Sequence, residues 1–161
     1  MKPRVLVVDD KQDLAEGVAL VLSEITGDVR VAHCAQLAIE QLTQRPADLV
    51  FSDVRMPGMD GVSLLSTIQA RWPRTRVVLL TAFGTVSAAV DAMKLGAFHY
   101  LLKPFDNDEL LLIARRAWES LQEKDELARL RGALEHGQSF HGIMARAPRM
   151  LAVLETVRKA A

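Results

Sequence analysis

A doubly wound α/β fold, five parallel strands with helices on both faces, is what this chain predicts on three observations. Short apolar runs, several rich in β-branched residues, alternate five times with patterns of helical spacing. Pro46 and Pro73 fall between the elements rather than inside them, where they break no ladder. A charged or hydroxyl residue follows directly after four of the five runs.

Val5–Val8 is the first strand, short and wholly apolar, as a strand covered on both faces should be. Leu14, Val18, Val21, Leu22 and Ile25 then recur at helical spacing. Asp13, with Glu16 three residues later, resembles a capping box at the start of that helix, and Gly27 follows its end as a left-handed C′ residue. Val29–Ala32 is the second strand, and Leu37, Ile39 and Leu42 mark the second helix. Leu49–Phe51 is the third strand, followed by a helix through Leu64, Leu65 and Ile68. Val77–Leu80 is the fourth, followed by a helix through Ala89, Val90, Met93 and Leu95 that Gly96 closes. His99–Leu102 is the fifth, and Leu110, Ile113, Ala117 and Leu121 line the last helix. Such alternation implies right-handed crossovers.

The last helix is unusually long. Asp108–Glu135 contains no proline, and no glycine before Gly132, before His136-Gly137 ends it. That is about twice the mean helix length. Leu127, Leu130 and Leu134 form an apolar stripe out of phase with Ala117 and Leu121, and Gln122–Glu126 is wholly polar. A dimerising helix and a solvated connector both fit this segment.

Composition narrows the class. In 161 residues, half are hydrophobic and a quarter charged, the profile of an ordinary globular domain with a short extension. The 20 basic and 20 acidic residues cancel, so nothing favours direct attraction to nucleic acid or an anionic membrane. No apolar run approaches the ~20 residues of a membrane span. Met1–Arg4 leads into a run too short for a signal peptide's apolar core. One cysteine, Cys34, excludes an intrachain disulfide, reads as a small buried hydrophobe, and suits a reducing cytoplasm.

The polar residues after the strands carry the chemistry. In the flavodoxin-like strand order 2-1-3-4-5, ligands bind outside the carboxyl ends of strands one and three, where the order reverses. Asp9-Asp10 end strand one and Asp53 ends strand three. Neighbouring strands lie about 4.8 Å apart, so three carboxylates crowd together. Two of them about 4 Å apart repel by roughly 4 kcal/mol at an effective dielectric near 20. A proton or a cation must relieve that, and hard oxygens suit Mg²⁺. Asp53 is a ligand or a nucleophile, since a carboxylate can accept a phosphoryl group. Lys103 supplies a compact charge and Thr81 a hydroxyl.

Four motifs then carry a family resemblance. Val7-Val8-Asp9-Asp10, Asp53-Val54-Arg55-Met56-Pro57-Gly58-Met59-Asp60-Gly61, Thr81-Ala82 and Lys103-Pro104-Phe105 resemble the receiver domain of two-component response regulators. The resemblance implies that Asp53 is the phosphoacceptor, supplied by a sensor histidine kinase. It implies that Asp9, Asp10, Asp53 and the Arg55 backbone carbonyl hold Mg²⁺. Lys103 would contact the phosphoryl group and precede a cis bond to Pro104; Thr81 and Tyr100 would be the switch pair. Such a domain is no enzyme beyond its own phosphorylation and dephosphorylation. Lys11 departs from the pattern, standing where a small or acidic residue is common.

The tail is similar to something else. Phe140–Met150 and Val153–Ala161 resemble the opening of the AAA+ domain of NtrC-like sigma-54-dependent activators, with Ala145 and Ala147 in place of Gly and Ser. No G-x-x-x-x-G-K-[ST] phosphate loop is present. The expected division is a receiver domain over 1–120, a helical signalling linker over 121–138, and a truncated AAA+ start over 139–161. The downstream ATPase and DNA-binding parts would then be missing from this chain, and a homodimer is the expected assembly.

Other classes fit less. A phosphatase with an aspartate nucleophile commonly has a second Asp where Arg55 stands. A flavin or nucleotide carrier needs a Gly- or Ser/Thr-rich turn where Asp9–Asp13 is acidic. A constitutive dimerisation module without phosphotransfer stays open at this point.

Overall fold

The computed structural model describes residues 2–137. In chain order the elements are β1 (Val5–Val8), α1 (Gln12–Leu22), β2 (Val29–Ala32), α2 (Ala35–Gln44) and β3 (Leu49–Asp53). They continue with α3 (Gly61–Arg71), β4 (Arg76–Thr81), α4 (Val86–Lys94), β5 (His99–Leu102) and α5 (Asn107–Gly137). The strands form one sheet in the order β2-β1-β3-β4-β5, every neighbouring pair parallel. This is the flavodoxin-like fold of the sequence expectation.

Alternating side chains divide the interior into two cores, because successive residues of a strand point to opposite faces. Leu6, Val8, Val50, Val77 and Leu79 pack on one side with Ala38, Leu42, Leu64, Leu65 and Ile68 from α2 and α3. Val5, Val7, Leu49, Phe51, Val78, Leu80 and Leu101 pack on the other. There they meet Ala15 and Leu22 of α1 and Leu110, Ile113, Ala114, Ala117 and Leu121 of α5. Each such large apolar side chain contributes about 1.5–3 kcal/mol on burial. The chain divides into two units, Met1–Leu121 and Gln122–Ala161, and the sheet with both cores belongs to the first. In the second, the described residues are helical, with Leu127, Leu130 and Leu134 half-buried. The proposed AAA+ segment, 139–161, lies outside the described residues. Among those described, no helix is long and apolar enough to cross a membrane.

Several local expectations need correction. Lys11, not Asp13, is the N-cap of α1, and its side chain makes no cap hydrogen bond. The helix starts two residues earlier than a cap at Asp13 allows, with the Lys11 N–H held by the Asp9 carboxylate at 3.0 Å. Asp13 lies in the first turn, where it complements the helix dipole. Gly27 does not take a positive φ, whereas Gly96 does at +104°; α1 ends at Ser23, too far back for Gly27 to be its C′ residue. Cys34 is half-buried and caps α2, its Sγ accepting from the Leu37 N–H at 3.4 Å. Strands β3 and β4 extend to Asp53 and Thr81, because ladder pairing continues through polar residues.

The largest departure is α4. Most of the apolar positions that mark it in the sequence are exposed: Val90 46%, Met93 47% and Leu95 44%. Ala92 alone of the helix is buried. The helix forms anyway, with Thr85 capping it by accepting from the Ala88 N–H at 3.0 Å.

Gly61 shows why a small residue ends the loop after β3. A Cβ there would lie 2.2 Å from the Asp53 carbonyl oxygen and 2.9 Å from Val54 Cα, both backbone atoms. Its N–H donates to the Val54 carbonyl at 2.8 Å. Gly17, mid-way along α1, faces open space. Gly61→Ala is therefore expected to cost roughly 1–3 kcal/mol by overpacking, while Gly17→Ala gains about 0.5–1 kcal/mol from helix propensity. Urea denaturation of the two variants, read side by side, checks the opposite signs.

Candidate functional site

Register brings the site together. Val8 pairs with Ser52, so Asp9 and Asp53 emerge side by side at the carboxyl ends of β1 and β3. Asp53 pairs with Leu80, which sets Thr81 one residue beyond it, and Thr81 pairs with Leu102, just before Lys103. Backbone bonds hold these ends: Asp9 N–H to the Ala32 carbonyl at 3.1 Å, Val54 N–H to Leu80 at 3.1 Å, and Lys103 N–H to Thr81 at 2.7 Å. The Lys103-Pro104 peptide is cis, as the family resemblance implied.

Asp9, Asp10 and Asp53 each offer an oxygen within 4.8 Å of the others. Asp9 and Asp53 are buried and Asp10 is exposed. The Lys103 ammonium lies 3.2 Å from Asp9 Oδ2 and 3.5 Å from Asp53 Oδ1. Asp53 Oδ1 also accepts the Val54 N–H at 3.0 Å. Its Oδ2 accepts no hydrogen bond among the described residues, so one oxygen is anchored and the other is left for an incoming group. Burial raises the Asp53 pKa above the ordinary carboxylate value and Asp9 adds to the rise; Lys103 and the Val54 N–H oppose it.

One ammonium against three carboxylates leaves the cluster strongly negative. The donor set is all hard oxygen, crowded and part-buried, which fits a small divalent cation rather than a soft one. Thr81 is buried, its Oγ1 accepting the Phe83 N–H at 3.1 Å. Tyr100 is half-buried beside the core that α2 and α3 cover. Arg55 is exposed on the loop after β3, with its guanidinium 4.2 Å from the centre of the Phe83 ring. Every residue singled out from the sequence thus lies at this rim or, for Tyr100, on the strand leading to it. Missed from the sequence were the backbone donors of Lys11 and Val54 and the Arg55–Phe83 stack. Backbone donors leave no mark on residue type, and the stack joins residues 28 apart by number.

The comparisons with known proteins agree with this geometry. A family model described as the response regulator receiver domain matches residues 5–115. Regulatory protein AtoC of Escherichia coli (strain K12) is 33% identical over 158 residues, 98% of this chain and 34% of AtoC. Response regulator protein FleR of Pseudomonas aeruginosa is 41% identical over 127 residues, 78% of this chain and 27% of FleR. A crystal structure of NtrX from Brucella abortus has a TM-score of 0.76 at 36% identity, covering 81% of this chain and 30% of that one. The chain therefore spans about a third of the length of these relatives or less. With its motifs, sheet order and acid cluster in agreement, the chain belongs to the response regulator receiver domain family.

Proposed function

We propose that the chain is a cytoplasmic phosphoryl acceptor for a sensor histidine kinase, with Asp53 as the acceptor. The supporting observation is the buried Asp53 carboxylate, one oxygen held by Val54 N–H and Lys103, clustered with the carboxylates of Asp9 and Asp10. In the transfer, Asp53 Oδ2 attacks phosphorus and a P–O bond forms. The P–N bond to the kinase histidine breaks, and the imidazole nitrogen keeps the electron pair. Asp9, Asp10, Asp53 and the Arg55 carbonyl would hold Mg²⁺, which supplies positive charge to the phosphoryl oxygens. Lys103 contributes the fixed cation of this chain, and the Thr81 hydroxyl donates to a phosphoryl oxygen.

The added charge then biases a two-state element. Thr81 moves toward the phosphoryl group, Tyr100 turns into the space it leaves, and α4, β5 and α5 repack. Pairing of two chains changes, and with it the access of a downstream AAA+ ATPase, of the sigma-54 activator type, to its ring. On this reading residues 1–120 are the receiver, 121–138 the signalling linker and 139–161 the start of that ATPase.

Incubation with acetyl phosphate is expected to add the mass of one phosphate to the native chain with Mg²⁺ present. Neither Asp53→Asn nor metal-free native chain should gain it; uptake by the variant would refute Asp53 as acceptor. Sedimentation velocity should show a different degree of pairing after phosphorylation, and unchanged profiles would sink the pairing mechanism.

Asp53 also predicts a pH dependence. Its folded pKa is raised above the unfolded value, so its protonation favours folding. That stabilisation is full below the unfolded pKa and is lost as pH rises through the folded one. Above this window the carboxylate is a net cost. Asp53→Asn is therefore expected to melt higher than the native chain at neutral pH without divalent ion. The difference should vanish below the ordinary Asp pKa of ~3.9, and Mg²⁺ should narrow it at neutral pH. Thermal melts across this range check the sign.

A further inference from the structure

The two ends of α4 are held differently. At the C-terminal end the chain closes in a Schellman motif, in which the Gly96 N–H donates to the Met93 carbonyl and the Ala97 N–H to the Ala92 carbonyl, both at 3.1 Å. Gly96 makes this turn at φ +104°, and its carbonyl accepts from the Gln69 side-chain amide of α3 at 3.3 Å. The fit is close, since a Cβ on Gly96 would lie 3.0 Å from Gln69 Cδ. Ala92 and Ala97 are buried in the core that α2 and α3 cover. The Phe98 N–H then joins β4 at the Val77 carbonyl, 2.7 Å away, with only Gly96 and Ala97 between that anchor and the cap residue Leu95.

The N-terminal end is held more loosely. Residues 82–85 link it to β4, Val86 is 83% exposed, and within residues 86–90 only Ala89 is as much as half-buried. The linking loop rests on two side chains of β5: a Cβ on Gly84 would lie 2.1 Å from Leu102 Cδ2 and 3.1 Å from Tyr100 Cε1. A further tie is the Phe83 N–H, which donates to Thr81 Oγ1 at 3.1 Å.

Resting on the phosphoacceptor reading, we propose that α4 swings about its C-terminal end when Asp53 is phosphorylated, with the Gln69–Gly96 contact as the pivot. Supports of the N-terminal end belong to the switch pair. Thr81, turning its hydroxyl toward the phosphoryl group, gives up its bond from the Phe83 N–H. Tyr100, turning inward, withdraws from Gly84. The ties at Gly96, Ala97 and Phe98 involve neither switch residue, so they stay closed. Displacement then grows along the helix from Leu95 to Val86: at 1.5 Å per residue, residues 94 and 86 lie about 3 and about 15 Å from Gly96. Gln69 is a positioning residue, because it acts through α4 and not on the acceptor. It stands about 12 Å along α3 from Gly61, the end that packs on Asp53.

The test uses the whole chain with acetyl phosphate and Mg²⁺ in excess, phosphate uptake being followed by intact mass. In a Cys34→Ser background, which keeps an oxygen to cap α2, spin labels are placed at Glu40→Cys on α2 and at either Val86→Cys or Lys94→Cys. All three labelled positions are exposed. Labelled chain is diluted with unlabelled chain, and the distance within one chain is read by pulsed electron resonance. On phosphorylation the label at 86 is expected to move about five times as far as the label at 94, in the ratio of the two arms. Gln69→Met keeps an unbranched side chain but lacks the amide donor, and Gln69→Glu is isosteric and lacks it too. Both should take up phosphate as the native chain does, and in both the label at 94 should now move. Equal movement at 86 and 94, no movement in a chain that has gained phosphate, or a still label at 94 in both Gln69 variants overturns the pivot alone. A native chain that gains no phosphate overturns the phosphoacceptor reading and the pivot with it.

Discussion

Parallel register forces two carboxylates together, and the rest of the site answers that constraint. Because Val8 sits opposite Ser52, Asp9 and Asp53 cannot avoid each other, and Asp10 joins them within 4.8 Å. At such a separation a pair of full charges repels by about 3.5 kcal/mol at an effective dielectric near 20. The ammonium of Lys103, delivered from the opposite side of β4 by the end of β5, offsets part of this by bridging Asp9 and Asp53. Burial, with Asp9 adding to it, raises the affinity of Asp53 for a proton against the opposing pull of Lys103, and the excess of negative charge suits the rim to a hard divalent ion.

The loops around the rim are tied to the sheet by backbone hydrogen bonds as well as by side chains such as Met56, which is buried in the core. Lys11 N–H fixes Asp9, Val54 N–H fixes Asp53, and the loop after β3 returns so closely that Gly61 has no room for a methyl group. The acceptor therefore occupies a rigid seat, while its near neighbours Arg55 and Phe83 sit outside it, exposed and held by each other. A stiff floor beneath a loose rim lets a change in charge move the rim without disturbing the sheet.

Much of this was readable in the residues. The strands were visible because burial on both faces leaves continuous apolar runs, as in Val5–Val8. The rim followed from which polar residue ends each run. What escaped had physical reasons. Asp13 looked like a cap because capping chemistry is shared by several residue types, and the bond from Lys11 N–H to Asp9 that set the true start is a tertiary detail. Val90 and Met93 mark the helix in the sequence yet face outward, because periodicity reports an apolar stripe but not which way it faces. Cys34 looked inert because sulfur seldom serves as a cap acceptor.

The outward turn of α4 has a thermodynamic corollary. Where α3 anchors itself through Leu64, Leu65 and Ile68, α4 secures its place in the sheet layer with the single methyl group of Ala92. Little apolar area is re-exposed if it lifts, so its amides should open at a small fraction of the global unfolding free energy, well below those of α3. A helix so lightly moored can change its seating while both interior cores stay intact.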